Sequence, residues 1–141
     1  MARWWRRRTR APRDAAAELI RARVLVECHD EAAAVSSVLA SAGYGRNDDV
    51  LLRHLVFVPD RHAAAFAARL RPDGYVPAPL LATDPSPPAG LVPVALGRVQ
   101  AVDAQSVSRE RALVGSMTAR MGGVVGGWAV LEAADVEPTS G

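Results

Sequence analysis

Residues 50–58 form a nearly unbroken apolar run, rich in β-branched side chains and of the length of a buried strand. Pro59 has no N–H to give to a ladder, so the strand should end there. Asp60 is expected to cap a following helix, its carboxylate accepting from the free N–H groups of the first turn. Ala63, Phe66, Ala67 and Leu70 fall on one face of that helix and arginines on the other. Pro72 and Gly74 stop it, and Tyr75 starts another strand. A strand–helix–strand unit leaves a sheet face that the rest of the chain must cover.

The same patterns place the other elements. Asp14 can cap a short helix over 14–20. Residues 23–29 read as a strand, with a helix continuing from Asp14 as the alternative. Asp30 and Glu31 open a helix whose apolar face is Val35, Val38, Leu39 and Ala42, closed by Gly43. Residues 44–49 make a polar turn. Beyond Tyr75, six of the ten prolines lie before Val94. They leave room for an edge strand over 75–82 and then a stiff exposed loop over 83–90. Residues 91–99 read as a strand interrupted at Gly97. Asp103 caps the longest helix, which runs to Met121 with Val107, Val114, Met117 and Met121 on one face and Leu113 beside them. Gly122 and Gly123 end it, and residues 124–132 form the last strand.

From residue 50 the order is thus β-α-β, loop, β-α-β. Two right-handed units with both helices on one side predict an α+β ferredoxin-like sandwich (βαββαβ). The earlier strand and helix would extend its edge. The expected division is a basic disordered tail over 1–13, one domain over 14–133 and a flexible tail over 134–141.

Charge sharpens that division. Residues 1–23 hold eight arginines against Asp14 and Glu18, a net of +6. The remainder, with nine arginines and thirteen acids, stands at −4. The overall +2 therefore joins a basic tail to a mildly acidic body. No run of eighteen apolar residues occurs, and no apolar segment follows the N-terminal charges, so neither a membrane span nor a signal peptide is expected. One cysteine, Cys28, excludes an internal disulfide and fits a cytoplasmic setting.

Candidate chemistry is sparse. Cys28, His29, His54 and His62 are the soft ligands available. Cys28 and His29 are adjacent and would point to opposite sides of a strand, so no metal and no cofactor are expected. His54 should be a partly buried histidine with a hydrogen-bond partner. Ser36, Ser37, Ser106, Ser108 and Ser116 sit within predicted helices without a nucleophile turn. The Asp48–Asp49 pair lies in a turn, and the glycine pairs follow a helix instead of opening one. No catalytic residue is expected.

Two aromatic features remain. Trp4, Trp5, Arg6, Arg7 and Arg8 lie where no core needs them. They read either as a plain cationic tail or as an anchor, arginines on phosphates and indoles on bases or at a headgroup layer. Trp128 follows two glycines in the last strand; burial under the last helix is one role and an exposed interface anchor the other.

With the elements placed, the chain resembles the ribonuclease E inhibitor B family, the RraB-like regulators. The resemblance lies in Ala42-Gly43-Tyr44 at a helix end, in His54-Leu-Val-Phe-Val-Pro-Asp60 before an alanine-rich helix and Gly74-Tyr75, and in Gly122-Gly123-Val-Val-Gly-Gly-Trp128 after the last helix. It spans roughly residues 30–133. It implies a ferredoxin-like protein without catalytic residues that binds the regulatory part of ribonuclease E and lowers its activity on some transcripts. Family members are strongly acidic, whereas this body is mildly so and carries the arginine–tryptophan tail and an extra N-terminal strand. The expectation is a protein-binding regulator of RNA degradation. The alternative is an adaptor whose arginine–tryptophan tail meets nucleic acid or an anionic membrane surface.

Overall fold

A computed structural model describes residues 23–44 and 49–132. Its elements are β1 (Val24–Cys28), α1 (Val35–Ser41), β2 (Val50–Pro59), α2 (Asp60–Leu70), a 3-10 turn (Arg71–Asp73), β3 (Val76–Pro77), β4 (Leu91–Gln100), α3 (Ala104–Arg120) and β5 (Val124–Leu131). The expected helix over 14–20 and both tails lie outside the described residues, Trp4, Trp5, Arg6, Arg7 and Arg8 among them.

The strands form one antiparallel sheet in the order β1-β5-β2-β4-β3, and the fold class is α+β. β2 is central. It pairs with β4 along its whole length, from Val50↔Gln100 to Pro59↔Leu91, and with β5 on its other side. Its side chains alternate between two covered faces. Val50, Leu52, Val56 and Val58 meet Val35 and Leu39 of α1, Phe66 and Leu70 of α2, and Val107 and Val114 of α3. Leu51, Leu55 and Phe57 meet Ala78 and Leu81 from the chain after β3, with Ala95, Ala129 and Leu131. A strand covered on both faces reads as a continuous apolar run.

That second cover corrects one expectation. The proline-rich segment does not make an edge strand over 75–82, because only Val76 and Pro77 pair with β4. After Ala78 donates to the Ala95 carbonyl, the chain leaves the edge and lies across the sheet. Of the loop expected to be exposed over 83–90, Thr83 and residues 85–90 are exposed, but Asp84 turns inward to meet Arg53.

Other departures have local causes. Asp60 is the first residue of α2, and Pro59 occupies the cap position without a side-chain bond; the Asp60 charge still favours the helix N-terminus. Asp30 and Glu31 do not open α1. Asp30 instead accepts from Ala32 N–H in an Asx turn, and the helix begins at Val35. β4 runs unbroken through Gly97. A Cβ there would meet Leu51 Cδ1 at 2.8 Å and the Leu52 carbonyl oxygen at 3.0 Å, so glycine admits close packing between strands. On α3, Asp103 and Ser106 form the expected cap as a reciprocal capping box. Leu113, however, is 42% exposed, and the buried stripe runs through Val107, Glu110, Val114 and Thr118. An acid holds a core position, and its partners define the site below.

Candidate functional site

Arg53 and His54 are adjacent on the central strand, so their side chains leave it on opposite faces. Both are buried, and each meets a carboxylate supplied by the layer above it.

On the helix face, Glu110 of α3 is the hub. Its Oε1 accepts from Tyr75 Oη at 2.7 Å and lies 3.3 Å from His54 Nε2. Its Oε2 accepts from Arg98 of β4 at 2.7 Å. The Arg98 guanidinium also donates to the Asp73 carbonyl at 2.8 Å and lies over the Tyr75 ring, 4.8 Å from its centroid. Gln100 approaches the same carboxylate without completing a bond of normal geometry. Burial alone would raise the Glu110 carboxyl, but the hydrogen bonds from His54, Tyr75 and Arg98, with the Gln100 amide close by, outweigh it and hold it at about 2. Burial and the same carboxylate push the Tyr75 phenol up, so it remains a donor. Desolvation would lower Arg98, yet Glu110 holds it above its ordinary value. This network ties β2, β4, α3 and the turn after α2 into one unit.

On the other face, Arg53 stands between Gly97 of β4 and Ala129 of β5, its partners in register. It pairs with Asp84, whose side chain is 10% exposed. The Leu81–Asp84 turn aims that carboxylate: Asp84 N–H donates to the Leu81 carbonyl, and Leu81 N–H donates to Asp84 Oδ2 at 2.7 Å. Desolvation lowers Arg53, while Asp84 and Glu27 pull it back up. Glu27 of β1 accepts from Thr83 Oγ1 at 2.5 Å, and His29 Nε2 stands 2.9 Å from the same Oε2.

The outside of the helix layer is basic. Arg61, Arg69, Arg109 and Arg120 are exposed on α2 and α3, against Asp60 as the exposed acid of those two helices. A groove of about 250 Å³ lies between the helices, with Met117 and Met121 beside His62, Arg69 and Arg120.

The sequence-derived candidates fare differently. His54 has a hydrogen-bond partner, as expected, in Glu110, and is fully instead of partly buried. Cys28 is buried, its Sγ 3.4 Å from the Asp30 carbonyl. Trp128 is 2% exposed and packs with Val26, Cys28, Leu52, Val107 and Val130. The burial role therefore holds, and the reading of Trp128 as an exposed contact is corrected, because its indole has no free face. Sequence reasoning missed Glu110, Arg53 and Asp84. Glu110 had left a signal, an acid at helical spacing between Val107 and Val114. Arg53 and His54 had left another, two polar residues inside an apolar strand. Asp84 left none, since nothing local told that the proline loop folds back. Compared with family models, with characterised proteins and with solved structures, the chain matches none.

Proposed function

We propose that this chain is a non-catalytic regulator that acts by docking on another macromolecule, in the manner of the ribonuclease E inhibitors it resembles. In that reading the architecture is a ferredoxin-like sandwich: the strand order β5-β2-β4-β3 interleaves two strand–helix–strand units, with β1 added at the edge. The observation that carries it is the engagement of the buried ionisable side chains with one another. His54, Tyr75 and Arg98 converge on Glu110, and Arg53 on Asp84, which joins layers and gives a rigid body for binding. The partner we infer is ribonuclease E, met in the cytoplasm. Co-purification with tagged full-length protein, followed by ribonuclease E cleavage of a transcript in its presence, tests this. Recovery of the enzyme and slower cleavage support it; no recovery and unchanged cleavage overturn it.

A second reading, an adaptor to nucleic acid or an anionic membrane, is favoured by the basic outer face of α2 and α3. Binding to a single-stranded RNA or an anionic vesicle would then fall steeply with salt. Loss on removing residues 1–13 assigns it to the arginine–tryptophan tail, and loss on reversing Arg69 and Arg120 assigns it to the helices.

A further inference from the structure

The loop face of the sheet holds a second group of ligating side chains beside the Arg53–Asp84 pair. Glu27 on β1, His29 just past its end and Asp84 on the loop each offer one donor atom, and these atoms lie within 4.8 Å of one another. Glu27 and His29 are neighbours at the end of β1, and Asp84, far away in sequence, meets them because the proline segment crosses the sheet.

Two observations point to a cation. His29 Nδ1 lies 3.2 Å from the Gly126 carbonyl oxygen, and Nε2 lies 2.9 Å from Glu27 Oε2. Both neighbours are acceptors: an imidazolium donates to both, whereas a neutral imidazole has one N–H to give and keeps its other nitrogen as a ligand. With the proton on Nδ1, the Nε2 lone pair faces a carboxylate oxygen, a contact that a metal ion converts into shared ligation. A carbonyl on the far ring nitrogen is also the outer partner that orients a ligating histidine. Independently, Asp84 is nine-tenths buried and its Oδ1 has no hydrogen-bond partner, while Oδ2 serves Arg53 and Leu81 N–H. One oxygen of a buried carboxylate is thus left for a ligand.

We propose that Glu27, His29 and Asp84 bind one divalent transition-metal ion of the zinc class. One imidazole nitrogen and two carboxylate oxygens suit Zn²⁺, Mn²⁺ or Fe²⁺ and not a soft thiolate-seeking ion. Donors around a tetrahedral ion with bonds of about 2.0–2.1 Å stand about 3.4 Å apart; His29 and Glu27, at 2.9 Å, are already within that span, so Asp84 is the ligand that has to close, by little more than about an ångström. His29 is exposed, which gives the ion a route from solvent. Three protein ligands leave a coordination position for water or for a group of a docking partner. The ion would also staple the proline segment to β1.

The test uses full-length protein stripped with a chelator, dialysed, and titrated with Zn²⁺ alone by calorimetry. Binding of one equivalent is expected, with a Tm rise of about 9 °C at a hundredfold excess over Kd. His29→Ala and Glu27→Gln, which leave the Arg53–Asp84 pair intact, should each weaken binding by more than about tenfold. Their metal-free Tm should stay near that of the parent. Co²⁺ in place of Zn²⁺ should give visible bands of nitrogen and oxygen ligation without the ultraviolet charge-transfer band of a thiolate. Absence of stoichiometric binding, an affinity that neither substitution changes, or a thiolate band assigning the ion to Cys28 would overturn the proposal.

Discussion

Arg53 and His54 are neighbours in sequence yet lie on opposite faces of the central strand, each joined to a carboxylate from a different layer. One step along β2 crosses the sheet. Arg53 reaches Asp84 on the proline segment, and His54 reaches Glu110 on α3. The two covers of the sheet are thereby tied to consecutive residues of its middle strand.

Breaking either tie should cost more than the tie itself contributes. Asp84→Asn leaves the Arg53 guanidinium buried without its counter-charge, and a loss of about 3–5 kcal/mol is expected in urea unfolding. Arg53→Met with Asp84→Asn removes the stranded charge and should recover most of that loss. A double variant as unstable as Asp84→Asn alone would mean that the ion pair has no special role.

Acid should weaken the other tie. Glu110 titrates at about 2 in the folded chain against an ordinary 4.5. Because the folded value is depressed, the unfolded chain takes up the proton first. The stabilisation is full above the unfolded value and is lost as pH falls towards about 2. A shift of that size corresponds to about 3 kcal/mol, and solvent around the partly exposed Arg98 brings it to on the order of 2 kcal/mol. Unfolding of the parent and of Glu110→Gln should therefore differ most near neutral pH, the difference shrinking below the unfolded value and closing only as pH reaches about 2. A difference independent of pH would contradict the assignment.

Gly97 faces Arg53 across the β2–β4 ladder, and the space its missing side chain leaves is filled by Leu51. Gly97→Val would drive methyl groups into Leu51 and the Leu52 carbonyl. An overpacking cost of about 1–3 kcal/mol is expected, read as a lower Tm. Gly90→Ala makes a useful contrast. No atom lies within 4 Å of its added Cβ, but its φ of +84° leaves a backbone cost of about 1 kcal/mol. If the two substitutions are equally mild, the strands are not packed as tightly as the distances imply.

How far the sequence disclosed this arrangement depends on the range of the interaction. β2, α2, α3 and β5 were legible because apolar periodicity, capping residues and glycine stops are local signals, and Asp103 with Ser106 is one of them. Proline density marked a break after Tyr75 but carried no information about direction. A loop that leaves an edge and a loop that folds over the sheet have the same composition, so Asp84 and its meeting with Glu27 and His29 were hidden. Glu110 sat in plain view inside an apolar stripe, where an acid implies a buried partner.

Trp128 offers the clearest separation of folding from docking. Its indole is enclosed among residues of β1, α1, α3 and β2, and Nε1 is buried without a partner. Trp128→Ala should leave a large cavity and cost about 3–5 kcal/mol. Trp128→Phe loses volume but also removes an unsatisfied donor, a burden of about 1–3 kcal/mol, so the two effects should largely offset. Urea unfolding of both variants checks this ordering, and binding of the phenylalanine variant to its partner should match the parent. If Trp128→Ala unfolded like the parent but failed to bind, the side chain would have to leave the core on docking, and its enclosed position would describe only the free protein.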